Sequence, residues 1–159
     1  MSQSPPAIRS VKARAVVVPL KRPLKNAFGI FTSAPLVLID VVTDQGVIGR
    51  AYIFAYANVT LKPLVLLVEE IGRELVGKPI VPFDLMAAMD AKFRLLGWQG
   101  LVGMAVSGLD MAYWDALGQC AGKTVAELLG GSPKPIKAYD SYGVVDPVKD
   151  EKDLRRSLD

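Results

Sequence analysis

The sequence predicts an α+β domain in which a three-stranded antiparallel meander is followed by a helical bundle. Three observations carry that expectation. Up to Ala55 the chain is rich in Val and Ile, in β-branched apolar runs and in the alternation from Val11 to Ala15. From Leu61 onward the apolar spacing changes from two to three and four. The breaks between these patterns coincide with turn signals at Asp44-Gln45-Gly46, Gly77-Lys78-Pro79 and Gly122.

Ile8 to Leu20 reads as the first strand. Lys12 and Arg14 alternate with Val11, Ala13 and Ala15, the pattern of a strand with one wet and one buried face. Lys21 to Ala34 contains Pro23, Asn26, Gly29 and Ser33 and is expected to be a long loop. Pro35 to Thr43 and Val47 to Ala55 are β-branched apolar runs joined by a short Gly-containing connection, which predicts an antiparallel hairpin.

Leu61, Leu64, Val65, Val68, Gly72 and Leu75 share one helical face, with Glu69 and Arg73 spaced for a pair on another. Gly77 and Pro79 stop that helix. A second helix is expected to start near Pro82 and to carry Leu85, Met89, Phe93 and Leu96 inward. A third runs from Leu101 to Ala121 and stops at Gly122. It is apolar almost all round, so more than one neighbour must cover it. Gly103, Ser107, Asp110 and Trp114 form one of its stripes, where small residues admit a close neighbour. Thr124 and Glu127 have the spacing of a capping box for a short fourth helix. Past the two-proline segment from Ser132 to Pro135, Ile136 to Tyr142 reads as a new strand, and the charged stretch from Asp146 to Asp159 as the start of a helix. The expected division is thus residues 1–132 as one domain and 133–159 as the start of another.

With 159 residues and 51% apolar content, the chain can bury a full core. No run is long and apolar enough to span a bilayer, and the N-terminus has no leader pattern, so a cytoplasmic location is expected and no membrane partner. The single Cys120 has no cysteine partner and is expected to be a buried packing thiol. The net charge is +3, with Arg9, Lys12, Arg14, Lys21, Arg22 and Lys25 all preceding the first acid, Asp40. No aromatic residues interleave with these cations as stacking platforms, so no nucleic-acid partner is expected. Asp110 and Asp115 diverge by about 140° on a helix, which suits structural roles better than an acid and base pair. No glycine spacing here makes a phosphate-binding loop.

The run Ala105-Val106-Ser107-Gly108-Leu109-Asp110-Met111-Ala112-Tyr113-Trp114-Asp115-Ala116-Leu117-Gly118-Gln119, followed by Thr124-Val125-Ala126-Glu127-Leu128-Leu129-Gly130, resembles the signature of the mandelate racemase and muconate lactonizing enzyme family of the enolase superfamily. Ala34 to Asp40, Gly46 to Gly49, Phe54 to Tyr56 and Lys137 to Ser141 resemble the mandelate racemase branch in the same order. The resemblance implies a capping domain followed by a β/α barrel of TIM type, whose first βα unit would begin at Ile136. It also implies removal of the proton α to a carboxylate, with Mg²⁺ stabilising the enediolate.

In the family the bases and metal ligands belong to the barrel, and this chain contains no histidine. The resemblance therefore implies no catalytic residue and no metal ligand up to Asp159, and an inert chain when isolated. The implied substrate contacts are Leu24, Phe31, Tyr56 and Ser141. Apolar Leu24 and Phe31 would suit an aromatic or other apolar substituent on the acid rather than a sugar chain. The implied partners are a small-molecule carboxylate and further copies of the same chain. Racemase and dehydratase both remain open, as do a stand-alone binding module that docks through the third helix and one half of a split enzyme.

Overall fold

The structure, a computed structural model, describes residues 4–26 and 29–138. It contains strands β1 (Ile8–Asn26), β2 (Gly29–Thr43) and β3 (Ile48–Phe54), then helices α1 (Leu61–Glu74), α2 (Pro82–Phe93), α3 (Gly100–Ala121) and α4 (Val125–Leu128). The sheet order is β1-β2-β3, and β2 pairs antiparallel with β3 from Leu36↔Phe54 to Val42↔Ile48. The expected meander and helical bundle are present in the expected order. The described chain divides into two compact units, one of residues 4–17 and 35–134, the other of 18–26, 29–34 and 135–138.

In the first unit the β2–β3 hairpin closes on Thr43, which is fully buried. Its hydroxyl donates to the Val47 carbonyl and accepts from the Val47 amide, both at 3.0 Å, so the buried polar group is satisfied inside the turn. One sheet face presents Val37, Ile39, Val41 and Ile53 to the helices, all buried. The other carries a cross-strand ladder in which Asp40 lies between Arg14 and Arg50, at 3.4 and 3.5 Å. These arginines are largely solvated, so each pair contributes at most about 1 kcal/mol, though the ladder keeps that face wet.

Helix α1 buries Leu61, Leu64, Val68, Ile71 and Gly72, close to the expected face. Glu69 and Arg73 do not pair as their spacing suggested. Arg73 bonds Glu70 at 2.6 Å, while Glu69 turns inward and accepts the Ala13 amide at 3.3 Å. That backbone donor is the stronger demand on Glu69, because an unpaired strand amide beside the core costs more than a surface ion pair returns. Helix α2 buries Leu85, Met89 and Phe93, but Leu96 lies beyond its end and is exposed. The helix ends at Phe93, so Leu96 falls in the turn that follows, which Gly97 (φ +77°) completes.

Helix α3 is covered as its composition required. It packs on β3, α1, α2 and α4 and buries Ala105, Val106, Leu109, Ala112, Tyr113 and Ala116. The approach to β3 is set by glycine. A Cβ on Gly49 would lie 2.1 Å from the Ala112 carbonyl and 2.7 Å from the Ala116 Cβ. A Cβ on Gly108 would lie 2.7 Å from both Ile39 and Ile53. Gly122 (φ +61°) then ends α3 in the left-handed conformation, and the Thr124–Glu127 capping box opens α4 as expected.

In the second unit the expected loop from Lys21 to Ala34 is replaced by strand. β1 continues to Asn26 and β2 starts at Gly29. Pro19 and Pro23 do not break β1 because it is an edge strand. The Ala13 amide bonds a helix side chain rather than β2. Pro19 and Pro23 share the parity of Ala13, so their missing donors fall on that same unpaired edge. Residues 131–138 form neither helix nor strand, so the expected strand is absent over Ile136–Ala138. Its remainder and the helix expected after it lie outside the described residues.

Gly49→Ala is expected to destabilise the chain by about 3 kcal/mol, because the new methyl meets backbone rather than a side chain that could move. Urea unfolding followed by far-ultraviolet circular dichroism reads this as a lowered midpoint at unchanged slope.

Candidate functional site

Where the free side of β3 meets the start of α3, the first unit has an open groove of about 640 Å³. Its β3 wall is Tyr52, Phe54 and, past the strand end, Tyr56. Its α3 wall is Met104, Ser107 and Met111, and Trp98 stands at one end. Alternation along β3 sends Ile53 inward and so leaves Tyr52 outward, 62% exposed. Trp98 is fixed by a 2.9 Å bond from its indole N–H to Asp90, and its carbonyl lies where a Cβ on Gly103 would sit. The groove is aromatic and sulfur-rich with one hydroxyl at Ser107. Such a surface can hold and orient an apolar group, but no carboxylate, imidazole or amine lines it to move a proton.

Of the residues expected from sequence to contact substrate, Tyr56 lies in this groove. Leu24 is exposed on β1 and Phe31 half-buried on the neighbouring strand β2, both within the second unit. Ser141 lies outside the described residues. Tyr52, Trp98 and Met111 were not singled out from sequence. The outward phase of β3 pointed to Tyr52, and the flanking glycines 97 and 100 marked Trp98 as a loop residue.

The backbone at Tyr56 has φ +59°, the sole positive value at a non-glycine residue among those described. The Ala57 amide donates to the Ala55 carbonyl at 2.6 Å, so residues 55–57 form a γ-turn of the rare, strained hand. An aromatic residue in that conformation costs on the order of 1–3 kcal/mol. The Tyr56 ring meets Phe54 edge-on at 4.7 Å but remains 69% exposed.

The acids of α3 divide as structural groups. Asp115 accepts the Arg50 amide and the Gln119 amide nitrogen, both at 2.7 Å, and so ties α3 to β3. Asp110 Oδ1 and the Tyr113 hydroxyl are both buried with no hydrogen-bond partner among the described residues. Burial pushes the Asp110 carboxyl above its usual range. Burial first, and the Asp110 charge second, push the Tyr113 phenol up. Trp114 is a half-buried packing group, edge-on to Phe83 at 5.5 Å. Cys120 is half-buried rather than buried, since it lies in the last turn of α3, past the last buried residue, Gly118. Desolvation and then Asp44 push its thiol up, which disfavours the reactive thiolate. Among the described residues no group of three or more His, Cys, Asp or Glu could hold a metal ion, and no helix is long and apolar enough to cross a membrane.

A three-stranded antiparallel meander capped by helices, with an aromatic groove beside the sheet and no proton-transfer machinery in it, is the architecture of an enolase-superfamily capping domain. The chain belongs to the mandelate racemase / muconate lactonizing enzyme family, whose N-terminal domain it matches over residues 8–130. It is 70% identical to an enolase from Bradyrhizobium, solved in complex with magnesium and mandelic acid. The likeness covers 100% of this chain and 44% of that one, with a TM-score of 0.93. An arabinonate dehydratase from Saccharolobus solfataricus is 32% identical over 129 residues, 76% of this chain and 32% of its own length. A D-galactarolactone cycloisomerase from Agrobacterium fabrum is 28% identical over 134 residues, 83% of this chain and 34% of its own. The chain thus spans about a third of the length of these curated relatives.

The unpartnered pair on α3 makes a stability prediction. Removing the buried hydroxyl in Tyr113→Phe is expected to leave stability unchanged or raise it by up to about 1 kcal/mol. For Asp110 the folded carboxyl binds its proton more tightly than the unfolded one. Stability is therefore highest below the unfolded pKa and falls as pH rises through the folded pKa. Asp110→Asn removes that loss, so its advantage over the parent in urea midpoint is expected to grow between about pH 4 and pH 7.

Proposed function

We propose that the complete protein abstracts the α-proton of an α-hydroxy acid bearing an aromatic or other apolar group, and racemises or dehydrates it. In this reading residues 1–132 are the capping domain, which lines the substrate's apolar side, and residues 133–159 begin the barrel. The observation that carries it is the 70% identity, along this chain's whole length, to a protein that binds magnesium and mandelic acid. The character of the groove and of the expected contacts supports it. The groove residues Tyr52, Tyr56 and Trp98 in the first unit, and the expected contacts Leu24 and Phe31 in the second, are each aromatic or aliphatic, and such side chains would leave most hydroxyls of a sugar acid unsatisfied.

The work of this chain is then binding and exclusion. Its side chains surround the non-reacting part of the acid, displace water from it and hold the α-carbon in one orientation, which makes proton removal effectively unimolecular. Leu24, Phe31 and Tyr56 are the proposed contacts, and Ser141 a fourth. The described residues do not fit a metal set, so a Mg²⁺ ion, which would lend charge to the developing enediolate, belongs in this proposal to residues beyond those described. Assembly into homo-oligomers and a cytoplasmic location are part of the same proposal.

The test is exchange of the α-proton in D₂O, read by proton NMR, for mandelate and for galactonate with the complete protein and with the 159-residue chain. Exchange or turnover of the aromatic acid by the complete protein, lost on chelation of divalent metal, is expected, with none from the isolated chain. Preferential turnover of the sugar acid would overturn the reading, and turnover by the isolated chain would overturn its division of labour. Phe31→Ala in the complete protein is expected to raise KM for the aromatic acid about tenfold, the scale of losing part of an apolar pocket wall.

A further inference from the structure

Thr60 ends a single 3-10 turn, Asn58–Thr60, that runs into α1, and its backbone is helical (φ −84°, ψ −12°), so its hydroxyl caps no helix amide. A threonine in that conformation turns its hydroxyl back toward preceding carbonyls. Here it lies 2.6 Å from the Ala55 carbonyl and 2.7 Å from the Ala57 carbonyl, the two that flank Tyr56. The Thr60 amide also donates to the Ala57 carbonyl at 3.1 Å. A hydroxyl has one proton to give. Each carbonyl already accepts one amide, Ala55 from Ala57 and Ala57 from Thr60, so the hydroxyl is a second donor within reach of both carbonyls that bracket Tyr56.

Ala55 is fixed from its other side as well. It is buried, and its amide donates to the Pro35 carbonyl at 2.9 Å. The strained turn is therefore gripped at both ends, by the sheet at Ala55 and by Thr60 across its opening. Packing gives no reason for the strain, because the residue it displays is a mostly exposed tyrosine. A strained conformation held this firmly, with an exposed aromatic at its apex and an open groove beside it, is arranged to present that side chain.

We infer that Thr60 is a positioning residue for Tyr56: its hydroxyl reaches back across the γ-turn, clamps it, and so fixes the phenol ring on the lip of the groove in the orientation that bound substrate meets. The inference rests on the reading that Tyr56 contacts an aromatic α-hydroxy acid. Part of the cost of ordering that contact is met before substrate arrives. Thr60→Val keeps the shape of the side chain and removes the donor, whereas Thr60→Ser keeps the donor.

The experiment uses the complete protein with 3-fluorotyrosine at position 56, read by fluorine NMR without ligand, together with steady-state kinetics on mandelate. The parent and Thr60→Ser are expected to give one narrow resonance, and Thr60→Val a shifted or divided one at a thermal midpoint that shows it still folded. Thr60→Val is expected to raise KM about fivefold with kcat within about twofold, Thr60→Ser to restore KM, and Thr60→Val to add nothing in a Tyr56→Ala background. An unchanged resonance in Thr60→Val overturns the inference whatever the activity. So does a KM loss of equal size with and without Tyr56. A changed resonance rescued by serine, in a protein that turns over no α-hydroxy acid, leaves the clamp in place and sinks the substrate reading instead.

Discussion

The close approach of α3 to β3 is the constraint on which the first unit depends. Gly49 lets the strand backbone lie against Ala112 and Ala116, and Gly108 lets Ile39 and Ile53 reach the helix backbone. Dispersion falls steeply with separation, so this contact sets how tightly the sheet and its longest helix can share a core. It also sets where α3 can begin. With the middle of the helix seated on β3, its first turns flank the strand's free side, and the Trp98 carbonyl settles onto Gly103. The walls of the groove are what remains exposed once that seating is made.

Much of the fold could be read from sequence because burial imposes a period. Leu61, Leu64, Val68 and Leu75 repeat at helical spacing, and Val37, Ile39 and Val41 at strand spacing, since each set faces one core. What could not be read depended on partners remote in sequence. Glu69 chose an amide of β1 over the arginine one turn away, and nothing local to α1 announces that amide. Pro23, Asn26, Gly29 and Ser33 suggested a loop because such residues usually punctuate. Whether they do depends on whether the strand is central or at an edge, a property of topology rather than of composition.

The candidate site was less legible. Leu24, Phe31, Tyr56 and Ser141 came from family likeness and not from any pattern in the chain, for an exposed leucine or tyrosine carries no periodic signal. The turn at Tyr56 had no advertisement either. Left-handed backbone is usually marked by glycine or asparagine, and Phe54-Ala55-Tyr56-Ala57 has neither. Thr60 carried no signal in the sequence, because the carbonyls its hydroxyl reaches are set by the turn and not by any local pattern. Asp110 was legible as a structural residue of α3, but that its buried oxygen and the Tyr113 hydroxyl lack partners among the described residues is a three-dimensional fact.

The long β1 strand has a consequence for the chain in company. A bare sheet edge is a template on which another chain can lay a strand, and long apolar ones seed aggregates. Val17 and Val18 are exposed on this edge strand and would qualify. Pro19 and Pro23 interrupt the row of donors an incoming strand would need, while Lys21, Arg22 and Lys25 surround it with like charge. Prolines and like charges thus leave this exposed length of edge strand a poor template for a second chain.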